Sequence, residues 1–143
     1  VPKNIHIKNR KASFDYFFIE EYTAGIQLFG SEVKSIAAGK VSMVDAFCYL
    51  EKNELYVKGL NISPMGDFSP DPLRVRKLLL KRKELNKLER GLDQGITIVP
   101  TLIFSNERGK IKVKISLAKG KKNYDKRNSI KERELSKEIK SFT

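Results

Sequence analysis

The chain has 143 residues, 40% of them hydrophobic, and a formal net charge of +12 from 29 Lys and Arg against 17 Asp and Glu. That apolar content suffices for one core plus an appendage, and the single cysteine, Cys48, excludes an intrachain disulfide and a cysteine-based metal site. No apolar run approaches the roughly 20 residues that cross a bilayer, and Val1-Pro2-Lys3-Asn4 lacks the apolar stretch of a signal peptide, so a soluble, cytoplasmic protein without membrane contact is expected.

The charge is unevenly placed. Residues 1–11 carry +4, 12–71 carry −5, 72–90 carry +6, 91–118 carry +2 and 119–143 carry +5. A merely solubilising surface works with mixed signs and modest net charge. Three basic blocks around an acidic-to-neutral body point instead to a polyanionic partner, nucleic acid or the ribosome.

In chain order, residues 13–29 carry strand signals, with Phe14, Tyr16 and Phe18 alternating and Ile26 and Leu28 following a turn around Thr23-Ala24-Gly25. Phe17 interrupts the polar side, which fits a strand covered on both faces or one holding a bulge. Gly30-Ser31-Glu32 opens a short helix capped by Ser31 and closed by Gly39. Residues 45–60 read as a hairpin turning at Lys52-Asn53, with Cys48 as a small buried thiol rather than a nucleophile. Asn61–Pro72, with three prolines and one glycine, is a loop. Val75, Leu78, Leu79, Leu85, Leu88 and Leu92 predict one helix over Leu73–Asp93, carrying Arg74, Arg76, Lys77, Lys81 and Arg82 with no acid among them. A final hairpin joins Ile96–Phe104 to Lys110–Leu117 about Asn106-Glu107-Arg108-Gly109. On its second strand Lys110, Lys112 and Lys114 line the outer face about 7 Å apart.

This reading gives six antiparallel strands, which in so short a chain close into a small barrel plugged by helices, a mainly β fold. The domain covers residues 1–118. From Lys119 onward nine Lys or Arg and four acids surround one tyrosine, Tyr124. Cations neutralise phosphates and a ring stacks on bases, so residues 119–143 form a basic tail, disordered or marginally helical alone. No catalytic centre is legible. His6 is the only histidine, Glu20 and Glu21 are adjacent and would face opposite sides of a strand, and no phosphate-loop, zinc-protease or serine-hydrolase motif is present. No cofactor or metal is expected. A general single-stranded RNA-binding barrel satisfies this much of the reading as well as anything more specific.

The motifs narrow it. Asn9-Arg10-Lys11-Ala12, Ala24-Gly25, Gly30-x-Glu32-Val33-Lys34-Ser35, Ala38-Gly39-Lys40, Asn61-Ile62-x-Pro64, Asp71-Pro72-x-Arg74-x-Arg76-Lys77-Leu78-Leu79-Leu80 and Ala118-Lys119-Gly120-Lys121-Lys122-x-Tyr124-Asp125-Lys126-Arg127-x-x-Ile130-Lys131-x-Arg133 occur in this order. Together they resemble the SmpB (small protein B) family, RNA-binding partners of transfer-messenger RNA (tmRNA) in bacterial trans-translation. Thr23 stands where many relatives carry a glutamate. The resemblance implies an oligonucleotide-binding (OB) barrel with flanking helices that holds the tRNA-like domain of tmRNA. It also implies a tail that enters the decoding region of a stalled small ribosomal subunit, against ribosomal RNA, and folds there as a helix. Through the RNA it implies elongation factor Tu and alanyl-tRNA synthetase as further partners. Carried over for the RNA face are Asn9, Arg10, Lys11, Glu32, Lys34, Arg74, Arg76, Lys77, Leu79, Lys112 and Lys114. For the tail they are Gly120, Lys121, Lys122, Tyr124, Asp125, Lys126, Arg127, Ile130 and Lys131.

Overall fold

The structure, a computed structural model, describes residues 4–66, 69–122 and 124–127. Strand β1 (His6–Lys8) leads into helix α1 (Arg10–Asp15). Asn9 caps this helix: its Oδ1 accepts the Ala12 N–H at 3.1 Å while its Nδ2 donates to the Pro100 carbonyl at 2.7 Å. One side chain therefore starts the helix and ties it to the body. Phe14, read from sequence as the start of a strand, lies in this helix.

Strand β2 (Tyr16–Ile26) then runs unbroken through Thr23-Ala24-Gly25, where the sequence suggested a turn. The small residues there serve packing instead: Ala24 is fully buried, and Gly25 pairs with a neighbour on each side. A bulge does interrupt its pairing between Phe18 and Glu20. Helix α2 (Gly30–Ala37) begins two residues earlier than the Ser31 cap implied, with Phe29 at the cap, where Glu32 reaches back to accept the Phe29 N–H at 2.9 Å. Gly39, at φ +75°, ends it as expected.

Strand β3 (Val41–Ser42) will meet β6 (Asn61–Ile62) in a separate two-stranded sheet. Between them, β4 (Phe47–Glu51) and β5 (Glu54–Lys58) form the expected hairpin, with Lys52 and Asn53 both at positive φ, as a two-residue turn of this hand requires.

The largest departure follows. Residues 76–79 form strand β7 (Arg76–Leu79), and helix α3 is confined to Arg82–Gly91. The three- and four-residue leucine spacing suggested one helix, yet Arg76 and Leu78 point inward while Lys77 and Leu79 point outward, a two-residue period. The slot between β5 and β2 satisfies this segment's backbone hydrogen bonds, and that outweighs local helix propensity. A long hairpin of β8 (Ile96–Ser105) and β9 (Ile111–Gly120) completes the chain.

Among the described residues there are thus nine strands, where the sequence suggested six. Seven make one antiparallel sheet in the order β1-β8-β4-β5-β7-β2-β9, and β9 pairs again with β8. With helices on its flanks, the arrangement resembles OB-like topology. The core joins Leu55, Val57, Leu78, Ile98, Ile103 and Ile115 of the sheet to Ile36 of α2 and Leu85 and Leu88 of α3. Cys48 is buried there, and burial pushes its thiol pKa well up, so it is inert at neutral pH. Strand β9 reaches Gly120, which pairs with Tyr16, so the folded body extends past residue 118.

Candidate nucleic-acid interface

The registers of three adjacent strands set one row of residues side by side. Gly25 of β2 pairs with Leu79 of β7 on one side and with Lys112 of β9 on the other. Because Gly25 has no side chain, the row is notched: a Cβ there would lie 3.6 Å from Leu79 Cδ1 and 3.7 Å from Lys112 Nζ. The notch opens into a groove of about 580 Å³, lined also by Leu28, Val33, Lys110 and Arg108. Leu79 is 47% exposed, and a leucine left in the open beside cations is suited to lie under a sugar or base while the ammonium groups meet phosphates. Of the residues carried over for RNA, Leu79 and Lys112 meet here. Lys110, on the outer row, joins them. Lys114, the next outward residue, is half-buried and lies 5.8 Å from the Phe104 ring centre.

Three of the other residues are internal. Glu32 and Arg76 are 2% and 0% exposed. Arg76 Nε donates to Glu32 Oε2 at 2.6 Å, while its other nitrogens donate to the carbonyls of Leu60 (2.7 Å) and Pro72 (3.1 Å). Arg74 donates to Glu32 Oε1 at 2.6 Å and lies 4.6 Å over the exposed Phe29 ring. Burial alone would raise the Glu32 pKa. The hydrogen bonds from Arg74, the Phe29 N–H and Arg76 outweigh it and hold the carboxyl below its usual range. The network ties α2, Leu60 and Pro72 to β7. Direct RNA contact was expected of Glu32, Arg76 and Asn9; their polar atoms are buried and already engaged within the protein, an arrangement suited to positioning. Arg76 and Lys77, expected on the long helix, lie on strand β7 instead, and Arg74 precedes it. Lys77 lies 3.7 Å from Glu54.

Arg10, Lys11 and Lys34 are exposed and lie outside the groove, with Lys11 3.9 Å from Asp45. The root of the tail packs on α1. Lys121 N–H donates to the Asp15 carbonyl at 2.7 Å and its Nζ to the Ser13 carbonyl at 3.2 Å, with the Phe17 ring 5.0 Å away. Lys126 pairs with Asp15 at 3.3 Å, and Tyr124 is 61% exposed. Ile130 and Lys131, with the remainder of the tail, lie outside the described residues.

Gly25, Leu28, Val33, Arg108 and Ile111 are among the groove residues that sequence reasoning did not assign. The signal existed in Ala24-Gly25, where two small residues inside an otherwise bulky strand mark a close approach. Among the described residues, no cluster of three or more His, Cys, Asp or Glu groups is placed to hold a metal ion, and no helix is long and apolar enough to cross a membrane.

A family model described as "SmpB protein" matches residues 6–143. The SsrA-binding protein of Phocaeicola vulgatus is 51% identical over 142 residues, covering 96% of this chain and 95% of that protein. The SsrA-binding protein of Anaplasma phagocytophilum is also 51% identical, over 139 residues, covering 94% of this chain and 93% of that one. A solved structure described as "tmRNA-SmpB: a journey to the center of the bacterial ribosome" superposes with a TM-score of 0.70 at 43% identity, over 88% of this chain and 94% of its own.

Proposed function

Because the chain belongs to the SmpB family, we infer that it binds tmRNA and delivers it to stalled ribosomes for trans-translation. It is an RNA-binding adaptor and not an enzyme. The observation that carries this reading is the extent of the family match, residues 6–143, which spans both the groove and the basic tail. In finer detail, the strand circuit serves as an OB-type barrel, and the groove of Gly25, Leu79 and Lys112 receives the tRNA-like domain. Leu79 lies against an unstacked sugar or base. Lys110, Lys112 and Arg108 neutralise the phosphates beside it, which adds affinity without reading sequence.

The tail takes the second task. Tyr124, flanked by Lys121, Lys122, Lys126 and Arg127, offers a ring and phosphate-binding charge to the decoding region. Ile130 and Lys131 extend that face as a helix against ribosomal RNA. Elongation factor Tu and alanyl-tRNA synthetase join through the RNA, and the complex works in the cytoplasm. The test is a binding assay on tmRNA with excess tRNA and single-stranded competitor, run beside a tagging assay on stalled ribosomes. The expected result is tmRNA binding that resists competitor and supports tagging. Displacement by unrelated single strands, with no tagging, would overturn it.

A further inference from the structure

The outer face of the β4–β5 hairpin carries an aromatic strip that the tmRNA groove does not use. Inward, Cys48, Leu55 and Val57 are buried; outward, Phe47, Tyr49 and Tyr56 form a continuous row of rings. Tyr49 and Tyr56 are cross-strand partners with ring centres 5.7 Å apart and planes inclined by 27°, and Phe47 follows at 6.3 Å. Stacking between Tyr49 and Tyr56 is a sufficient reason for two rings to be partly exposed, but it does not account for Phe47. That ring is 41% exposed at the edge of a shallow depression of about 480 Å³ shared with Lys58, Glu51 and Val75, the last 39% exposed.

Around the strip three cations, Lys58, Lys77 and Arg82, face two carboxylates, Glu51 and Glu54, so the sign is positive by a small margin. Lys58 is exposed and, among the described residues, has no acidic partner within 4 Å. Lys77 is the cross-strand neighbour of Tyr56, and Arg82 lies beyond it; both share the single acid Glu54, at 3.7 and 3.4 Å. A lone carboxylate between two cations leaves the pair net positive. The strip also continues into the groove: Tyr49, Tyr56 and Lys77 are successive partners across β4, β5 and β7, and Lys77 is two residues from Leu79. One exposed ring next to two half-buried stacked ones, the unpaired Lys58 beside them and the contiguous proposed RNA groove are the features of a platform for unpaired bases.

We propose that Phe47, Tyr49 and Tyr56 form a second RNA site, which stacks two or three unpaired nucleotides while Lys58 and Lys77 meet their phosphates. The site takes single-stranded RNA with little base preference, because every base has a π-face. It therefore differs in ligand from the groove.

The chain lacks tryptophan and has five tyrosines, two of them in the strip, so tyrosine emission reports occupancy. Full-length protein is titrated with an octaadenylate RNA, alongside F47L/Y49L/Y56L, K58Q and K112A, each checked by thermal melting. The expected result is quenching of tyrosine emission in the parent, at least a tenfold loss of octamer affinity in the triple variant, and a salt slope flatter by roughly 0.7 in K58Q. K112A, in the contiguous groove, should lose less octamer affinity than the triple variant. No quenching in the parent, or a folded triple variant that binds the octamer unchanged, overturns the proposal. So does a triple variant that keeps RNA affinity but loses ribosomal tagging, which would make the strip a protein contact. Should the triple variant fail to fold, an unchanged octamer affinity and salt slope in K58Q and in Tyr56→Leu would overturn it equally.

Discussion

The two faces of β7 use their polar and apolar residues in opposite ways. On the inner face Arg76 is fully buried, and its nitrogens are committed to Glu32 and to the Leu60 and Pro72 carbonyls. On the outer face Leu79 stands in the open beside Gly25 and Lys112. The buried arginine holds the architecture, and the exposed leucine belongs to the surface proposed to meet RNA. Basic residues in a nucleic-acid-binding sequence are therefore not interchangeable, since burial and prior partners decide which remain available to phosphate.

The inner face is the place to break the fold. Arg76→Met leaves the Glu32 carboxylate buried with Arg74 as its remaining cation, and removal of one partner from a buried pair costs about 3–5 kcal/mol. Out of a typical domain stability of roughly 5–15 kcal/mol, that is a large loss, readable as a lowered urea midpoint. The pH dependence follows from the same carboxyl. Its folded pKa is depressed, so its contribution is complete above the ordinary glutamate pKa and is lost as pH falls through the lower, folded value. In Glu32→Gln the acid limb of the stability profile should flatten, and an unchanged limb would mean that another carboxylate controls it.

The outer face is the place to break binding without unfolding. Leu79→Asp puts a negative charge into the groove at a half-exposed position. It should reduce tmRNA affinity by at least tenfold at unchanged melting temperature, measured by filter binding. Lys112→Ala should have a smaller effect and flatten the dependence of log K on log salt by roughly 0.7–0.9. Lys11→Ala is a control for exposed cations outside the groove: an effect as large as that of Lys112→Ala would spread the RNA footprint over α1.

The tail sharpens the comparison, because its deletion should leave both faces of β7 intact. Truncation at residue 119 would remove Lys119 and Gly120, which pair with Phe17 and Tyr16, and would fray β9. Deletion of residues 128–143 avoids this. It should leave tmRNA affinity within a few-fold and abolish tagging of stalled ribosomes; full tagging would make the tail an accessory electrostatic arm. The smallest effect is expected at the tail's root. Asp15→Asn removes the partly exposed pair with Lys126 and should cost about 0.2–1 kcal/mol in a denaturant melt.

How much of this was legible beforehand follows the same division. The β4–β5 and β8–β9 hairpins were visible because alternation and turn residues agreed, as at Lys52-Asn53. The 73–81 segment was not, because Leu78-Leu79-Leu80 satisfies a helical and a strand period equally and only the vacant slot between β5 and β2 decides between them. Lys112 and Leu79 could be named from motifs, but Gly25 joins them only through the β2–β7 and β2–β9 registers. Arg76 looked like an RNA contact because a sequence displays charge and conceals the carboxylate 44 residues away that consumes it.

The central claim is that the outer face around Gly25, Leu79 and Lys112 receives the tRNA-like domain while the inner network only supports it. The most direct test is a methyl-labelled NMR titration of the full chain with that RNA domain. The account predicts that the methyl signals of Leu28, Val33, Leu79 and Ile111 shift most strongly on binding, ahead of those on surfaces remote from the groove such as Val44. Unmoved signals at those four methyls, with the largest shifts elsewhere, would contradict it.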